Sequence, residues 1–138
     1  MSLVTNAFYN INLVLVLLSM IFFHIVDDFY LQDCLANMKQ ATWWEQYGDF
    51  YRNDYKPALL LHAFSWTFCI HIPIFVHCLY YGGNYSIILL LSVFVVNWII
   101  HAIVDNLKAN EFKINLVTDQ TIHILQILIT WTIYIFNY

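Results

Sequence analysis

Charged residues are scarce in this sequence. Only 10% of its 138 residues are charged, whereas 62% are hydrophobic; a soluble domain usually carries about a quarter charged residues. A soluble protein of this length could not bury so much apolar surface, but a bilayer accepts it, because lipid surrounds the outer face of the protein. The scarcity of charge therefore favours an integral membrane protein, in which residues 1–138 form one domain.

Other missing features exclude further classes. The basic residues form no patch suited to nucleic acid, so nucleic acid is not expected as a partner. The three cysteines, Cys34, Cys69 and Cys78, form no Cys-x-x-Cys pair, and we expect them to be reduced packing residues, with the last two inside a span. The first apolar stretch follows no basic residues and precedes no small-residue cleavage site, so we expect a span and not a cleaved signal peptide.

Four apolar stretches approach the ~20 residues that cross a bilayer as a helix. They cover about residues 8–31, 57–81, 85–107 and 116–136. The predicted fold is therefore all-α, a polytopic bundle of four transmembrane helices. Gly82-Gly83-Asn84 predicts a tight turn between the second and third spans.

The basic residues predict the orientation of the bundle. All five lie in the two loops 32–56 and 108–115: Lys39, Arg52, Lys56, Lys108 and Lys113. Positive charge is enriched in cytoplasmic loops, so both loops are expected in the cytoplasm. An even number of spans then places both termini outside.

The longer loop is rich in aromatic residues at spacings of three or four: Trp43, Trp44, Tyr47, Phe50, Tyr51 and Tyr55. This spacing predicts a short helix that lies in the membrane interface. Two roles remain open for it. It either anchors the protein at a fixed depth or forms a platform for a lipid substrate.

Ionisable residues recur near the cytoplasmic ends of the spans, although such residues are costly inside a membrane. They are His24, Asp28, His62, His101, Asp105, Asp119 and His123. Each histidine lies on the order of 10 Å below the interface at 1.5 Å of rise per residue. Residues four apart share a helix face, so each His-Asp pair is expected to face the bundle axis.

Four imidazoles and three carboxylates at one level are typical of a metal site in a helical bundle. Zinc is expected, with iron or manganese as alternatives, and either two ions or one ion with orienting partners. One of Asp28, Asp105 and Asp119 would act as a general base if it is not a ligand. The alternative is a metal-free network that joins the helices or handles protons.

Other polar residues are expected around these ligands. Asn97, Ser65 and Gln126 are candidate hydrogen-bond partners of the ligands. Lys108, Lys39, Gln32 and Gln120 are candidate substrate contacts, and the lysines favour an anionic substrate; the alternative for each lysine is snorkelling to the interface. Asp27 is expected to point elsewhere, as a cap or towards solvent, His71 to be interhelical or structural, and His77 to lie at the opposite interface.

The segment His24 to Gln32, HIVDDFYLQ, resembles the H-x-x-x-D-F-x-L-Q opening of the bacterial and phage membrane proteins grouped as domain of unknown function 3307. His62 in an L-L-x-H context, His101-x-x-x-Asp105-x-x-Lys108 and Asp119-Gln120-x-x-His123 match that family's later motifs in order. The resemblance covers nearly the whole chain and implies a small multi-helix protein of the bacterial inner membrane or that of a phage-infected host. It implies no reaction. The doubled acid Asp27-Asp28 departs from the family opening.

A more distant likeness is to membrane-bound metal-dependent hydrolases. The function we expect is hydrolysis of an anionic lipid headgroup, a phosphoester or a small molecule at the cytoplasmic leaflet. A metal, ion or proton transporter is one alternative. The other is a non-catalytic phage or bacterial interaction module whose aromatic loop binds a partner. The large lipid-facing surface is also compatible with a homo-oligomer.

Overall fold

The regular secondary structure of the described residues is all helical, and they contain no strand. The computed structural model describes residues 3–81 and 86–137, with side chains described from residue 11 onward, so the turn predicted at Gly82-Gly83-Asn84 lies outside the described residues. The helices are α1 (Leu3–Val26), α2 (Leu35–Met38), α3 (Ala41–Trp44), α4 (Tyr55–Tyr81), α5 (Ile87–Ala109) and α6 (Leu116–Asn137). This confirms the all-α prediction.

Three helical segments are long and apolar enough to cross a membrane, judged by length and composition: Ile11–Leu31, Asp49–Tyr81 and Ile87–Ala109. They contain most of the first three predicted stretches. Helix α6 has sufficient length at 22 residues but is not among them. It carries Asp119, His123, Gln126 and Thr130 on its buried face, and these lower its apolar character.

The long helices form a bundle around a common axis. Helix α4 packs against α1 and α5, and α6 packs against the same two helices. Large apolar side chains such as Phe22, Ile88 and Ile129 are more than half exposed on the outside, whereas charged groups are buried inside. This inverted distribution suits a lipid environment, in which the outer face needs no polar cover.

The polarity of the bundle interior changes along its length. An apolar cluster begins beside the histidines at Trp66 and extends into the half that is remote from the two charged loops: Leu13, Val16, Met20, Trp66, Ile70, Ile74, Leu90, Ile127 and Tyr134. The half beside the loops holds the histidines and aspartates of the predicted site.

Helix α1 ends in a π turn, Asp27–Leu31. Such turns, closed by i→i+5 hydrogen bonds, are rare and occur frequently at functional sites. Here both Asp27 and Asp28 begin the turn and both are buried. The π turn therefore directs two adjacent carboxylates into the bundle.

The aromatic part of the long loop forms short helical pieces, and a helix that lies in the membrane interface stays a prediction. The four-residue α3 is followed by two 3-10 turns, Glu45–Tyr47 and Asp49–Tyr51. Gly48 joins these turns at φ 90°, a left-handed conformation that glycine adopts without steric cost. The indole of Trp44 donates to the Met38 carbonyl at 2.7 Å and holds the segment against α2.

The loop is also fixed to the end of α5. The Asn110 side chain accepts from the Ala41 backbone N–H at 2.7 Å and donates to the Lys39 carbonyl at 3.1 Å. These two bonds hold Lys39 where its side chain enters the bundle.

Candidate metal centre

The structure brings together all seven residues that the sequence singles out as metal ligands. Each of the four long helices contributes one histidine, and the aspartates come from α5, α6 and the π turn after α1. All seven are buried: His24, Asp28, His62, His101, Asp105, Asp119 and His123. The i,i+4 pairs share a helix face as expected, with His24–Asp28 at 3.8 Å, His101–Asp105 at 3.7 Å and His123–Asp119 at 3.3 Å.

Asp28, His62 and His101 form one compact group of potential ligands. The Nε2 atom of His62 lies 3.3 Å from Asp28 Oδ1 and 3.3 Å from His101 Nε2. One ligand atom from each of the three residues lies within 4.8 Å of the others. Three helical elements thus direct nitrogen and oxygen donors at one point, an arrangement that can hold a metal ion.

A second group is formed by His101, Asp105 and His123, with ligand atoms again within 4.8 Å of one another. His123 Nε2 lies 3.3 Å from Asp105 Oδ1. The other oxygen of Asp105 lies 3.3 Å from His62 Nε2. Asp105 therefore connects the two groups through its two oxygens, and His101 belongs to both.

Stacking fixes the His101 ring. Its ring centroid lies 4.1 Å from that of Trp66 and 4.1 Å from that of His123, at interplanar angles of 21° and 27°. Its Nδ1 atom has no hydrogen-bond partner among the described residues. The ring is held by packing, with its Nε2 edge directed at His62.

His24 contacts the cluster through hydrogen bonds on both ring nitrogens. Trp66 Nε1 lies 2.7 Å from His24 Nδ1; because an indole nitrogen only donates, His24 Nδ1 must accept. Its Nε2–H then donates to Gln120 Oε1 at 3.1 Å, and the Gln120 amide donates to Asp28 Oδ2 at 2.9 Å. In this arrangement His24 supports Asp28 through Gln120, and its role as a direct ligand stays a prediction.

Asp119 also makes hydrogen bonds to residues that are not predicted metal ligands. Its Oδ2 accepts from Lys108 Nζ at 2.5 Å and from Gln120 Nε2 at 3.0 Å. Its Oδ1 lies 3.3 Å from His123 Nε2 but makes no hydrogen bond within the described part of the chain. Asp119 therefore retains one carboxylate oxygen that is available to a proton or a cation.

Gln126 contacts His123 directly, and Asn97 supports Gln126 in turn. Gln126 Oε1 lies 3.1 Å from His123 Nδ1, and its amide donates to the Asn97 backbone and side-chain oxygens. Asn97 in turn donates to Thr130 at 2.7 Å. This chain of bonds fixes the His123 ring so that Nε2 faces the carboxylates.

Asp27 occupies a different place from the one expected. It neither caps a helix nor faces solvent, since only 1% of its surface is exposed. Ser65, expected beside His62, instead donates to Asp27 Oδ1 at 2.6 Å. The i,i+4 spacing selects Asp28 alone, so the pattern did not identify Asp27; the doubled acid was the feature that could have done so.

Lys39 lies inside the bundle and does not snorkel to the interface. It is 5% exposed, and its Nζ lies 2.6 Å from Asp105 Oδ2. The Lys108 side chain is 26% exposed and pairs with Asp119. Both lysines thus neutralise carboxylates of the cluster.

The predicted substrate contacts line one cavity of about 380 Å³ at the loop end of the bundle. Its polar wall consists of Asp28, Gln32, Lys39, Gln40, Lys108 and Gln120. Phe29, Phe112 and Leu116 also line it and are more than half exposed. The cavity gives access to the cluster beside Asp28.

Charge balance tests whether a metal ion fits these residues. Four carboxylates are buried, those of Asp27, Asp28, Asp105 and Asp119. Only two ammonium groups, of Lys39 and Lys108, contact them, which leaves two formal negative charges when the imidazoles are neutral. Unbalanced buried charge is costly. One divalent cation would balance it, and the clustered nitrogen and oxygen donors suit zinc, iron or manganese.

Two histidines outside the cluster have structural contacts. His71 Nδ1 bonds the Thr67 carbonyl of its own helix at 2.7 Å and is fully buried. His77 Nδ1 lies 2.6 Å from the Tyr134 hydroxyl and is 6% exposed. His77 therefore links α4 to α6 inside the bundle, and its expected depth near the opposite interface stays a prediction.

No family model matches the chain, and comparisons with curated proteins and with solved structures find no match. The resemblance to domain of unknown function 3307 therefore stays a prediction. The function has to be argued from the cluster itself.

Proposed function

We propose that the protein is a membrane-embedded, metal-dependent hydrolase. Its ion is held by His62, His101 and His123 together with Asp28 and Asp105. The observation that supports this most directly is the pair of buried three-residue groups that share His101, each with its ligand atoms within 4.8 Å of one another. A network that only joined helices would need one or two buried polar side chains, whereas these two groups contain five.

The resting site holds one divalent ion, because the cluster carries two uncompensated negative charges. A second ion would require Lys39 and Lys108 to leave Asp105 and Asp119. Zinc is the ion we favour, since histidine nitrogen and carboxylate oxygen are its usual ligands when thiolates are absent. Iron and manganese accept the same donors.

The surrounding residues have separate roles in hydrolysis. A divalent ion bound here supplies an activated water and polarises the scissile group. Asp119 is the general base, because its Oδ1 makes no hydrogen bond in the described residues and lies beside His123. Lys108, partly exposed in the cavity wall, stabilises an anionic substrate.

The substrate is an anionic lipid headgroup or another phosphoester. The cavity has a charged and amide wall near Asp28 and an apolar margin at Phe29, Phe112 and Leu116. A headgroup can occupy the polar part while its acyl chains remain along the apolar margin. Apolar walls with a few fixed polar groups are the usual form of a ligand site.

We further propose that α6 is the fourth span. Its buried polar face lies against α1 and α5, and the opposite face exposes Leu125, Ile129 and Phe136 to lipid. The five basic residues place both loops in the cytoplasm and the termini outside. The exposed aromatic segment, with Phe50 89% exposed, then lies at the cytoplasmic interface of a bacterial or phage-infected inner membrane.

The test is the metal content of the detergent-purified protein, measured by inductively coupled plasma mass spectrometry. We expect about one zinc, iron or manganese per chain, lost in His62→Ala and retained in His71→Ala, a buried histidine of the same helix outside the cluster. The metal-loaded and chelator-treated proteins are then assayed on phosphoesters and anionic phospholipids. Absence of metal in the wild type, even after addition, would overturn the proposal.

A further inference from the structure

Two adjacent carboxylates flank the His62 ring. Asp28 Oδ1 lies 3.3 Å from its Nε2, and Asp27 Oδ2 lies 3.8 Å from its Nδ1. The π turn directs both aspartates towards α4. Neither the i,i+4 pattern nor the proposed ligand set gives Asp27 a role.

The Asp27 carboxylate is buried and only half satisfied. Its Oδ1 accepts from Ser65 at 2.6 Å and faces the Cys69 thiol at 3.6 Å. Its Oδ2 is buried and has no hydrogen-bond partner in the described chain. Leaving a buried charged acceptor without a donor is unfavourable, and the ring nitrogen of His62 faces this atom.

The chemistry of a metal-bound imidazole supplies the missing donor. When Nε2 of a histidine binds a metal, Nδ1 carries the ring proton and usually donates it to a carboxylate, a carbonyl or a water. The carboxylate torsion of aspartate is broad, so a small rotation brings Asp27 Oδ2 within hydrogen-bond distance of His62 Nδ1. Ser65 holds the other oxygen and so keeps the carboxylate beside the His62 ring.

We infer that Asp27 is the positioning residue for the metal ligand His62. It accepts the Nδ1–H of His62, fixes the tautomer that leaves Nε2 free for the ion, and increases the basicity of that nitrogen. This inference rests on the proposed metal site. The neutral amide of Gln126 has the corresponding place at His123 Nδ1, so the Asp27 contact makes His62 the stronger of the two ligands.

The experiment measures zinc affinity of the metal-free, full-length protein in detergent, by competition with a chromophoric chelator. Asp27→Asn replaces the two carboxylate oxygens with one amide oxygen. Only one of His62 Nδ1–H and the Ser65 hydroxyl can then donate to it. We expect a 10- to 100-fold weaker affinity, the usual effect of removing such a partner. Cobalt substituted for zinc should show shifted visible absorption bands, since the donor strength of His62 changes.

Ser65→Ala is the second variant, because it keeps the carboxylate and removes only the bond that holds it. We expect a smaller loss of affinity in the same direction. The matched controls are Asp33→Asn, an exposed acid in the following loop, and Ser92→Ala, an exposed serine that bonds only the Ile88 carbonyl. Both controls should bind zinc as the wild type does.

The outcomes separate this inference from the proposed function. If the wild type binds no zinc, both are overturned. If the wild type binds zinc and Asp27→Asn binds it equally well with an unchanged cobalt spectrum, only the role of Asp27 is overturned. If Asp27→Asn does not fold, Ser65→Ala decides, and wild-type affinity in that variant rejects the inference.

Discussion

The Nε2 atoms of His62 and His101 lie 3.3 Å apart in the buried half of the bundle. If both Nε2 atoms were unprotonated, each would be an acceptor that faces another acceptor. Either a proton or a cation must therefore lie between them. Carboxylate oxygens of Asp28 and Asp105 lie 3.3 Å from the same nitrogen of His62. A cation at this point would satisfy all these atoms, whereas one proton would satisfy only two of them.

Replacing His101 should abolish metal binding, because His101 belongs to both ligand groups. We expect His101→Ala to retain less than about a tenth of the wild-type metal, since neither three-residue group then keeps more than two of its ligands. The measurement is metal content per chain after purification without chelator. His101→Ala with full metal content would show that the ion lies elsewhere.

Acidification should release the ion. Only the neutral imidazole binds a metal, so protons compete with the ion as the pH falls, and metal affinity rises as the pH rises. Metal affinity should therefore decrease as the pH is lowered from about pH 7.5 to about pH 5.5. Chelator competition across this range measures it, and a flat profile would exclude histidine ligands.

Removing the Lys39 ammonium should destabilise the metal-free protein. Lys39→Gln leaves the buried Asp105 without its cation, and breaking a buried ion pair from one side typically costs about 3–5 kcal/mol. Thermal unfolding in detergent should therefore show a lower midpoint, which zinc partly restores because it supplies the missing positive charge. Lys56→Gln is the control, since Lys56 is exposed and contacts only the Tyr55 ring. Equal midpoints for the two variants would contradict the importance of the Lys39–Asp105 pair.

Lys108 should contribute to anion binding in the cavity. It is partly exposed there, whereas Lys39 is buried. With inorganic phosphate as the probe, the metal-loaded Lys108→Gln protein should bind about tenfold more weakly than the wild type, corresponding to about 1.4 kcal/mol. Isothermal titration measures it, with Lys113→Gln as the control because that lysine is exposed and pairs with Glu111. Unchanged phosphate affinity would remove Lys108 from the substrate contacts.

The proposed orientation can be tested at Cys34, an exposed free cysteine in the first loop. A membrane-impermeant maleimide should label it in inverted inner-membrane vesicles and not in intact spheroplasts, because the proposed orientation places this loop in the cytoplasm. Cys34→Ser measures labelling at Cys69 and Cys78, which are only partly accessible. Labelling in spheroplasts would reverse the orientation.

Much of the site could be predicted because helices convert sequence spacing into depth and direction. Apolar length located the long helices, and the i,i+4 rule placed His24 with Asp28 and His101 with Asp105 at one level. Those rules describe each helix alone. They carry no information about which side chains meet between helices.

The side chains whose positions differ from expectation are held by contacts between distant segments. Lys39 lies in a loop, and its entry into the bundle depends on Asn110, 71 residues away. Asp27 is directed inward by a π turn, which the helical spacing did not predict. The engagement of His24 by Trp66 and Gln120 likewise requires three helices to pack together.

The same dependence determines the order of biogenesis. In the proposed topology the helices enter the membrane one after another. The carboxylates on α5, on α6 and after α1 therefore meet their histidines and lysines only when the bundle closes. His24 and Gln120, which contact each other, are 96 residues apart. Metal loading of the proposed site would therefore be a late step that reports completed assembly. An unfinished chain would present unpaired acids within the lipid, where membrane quality-control proteases could recognise it.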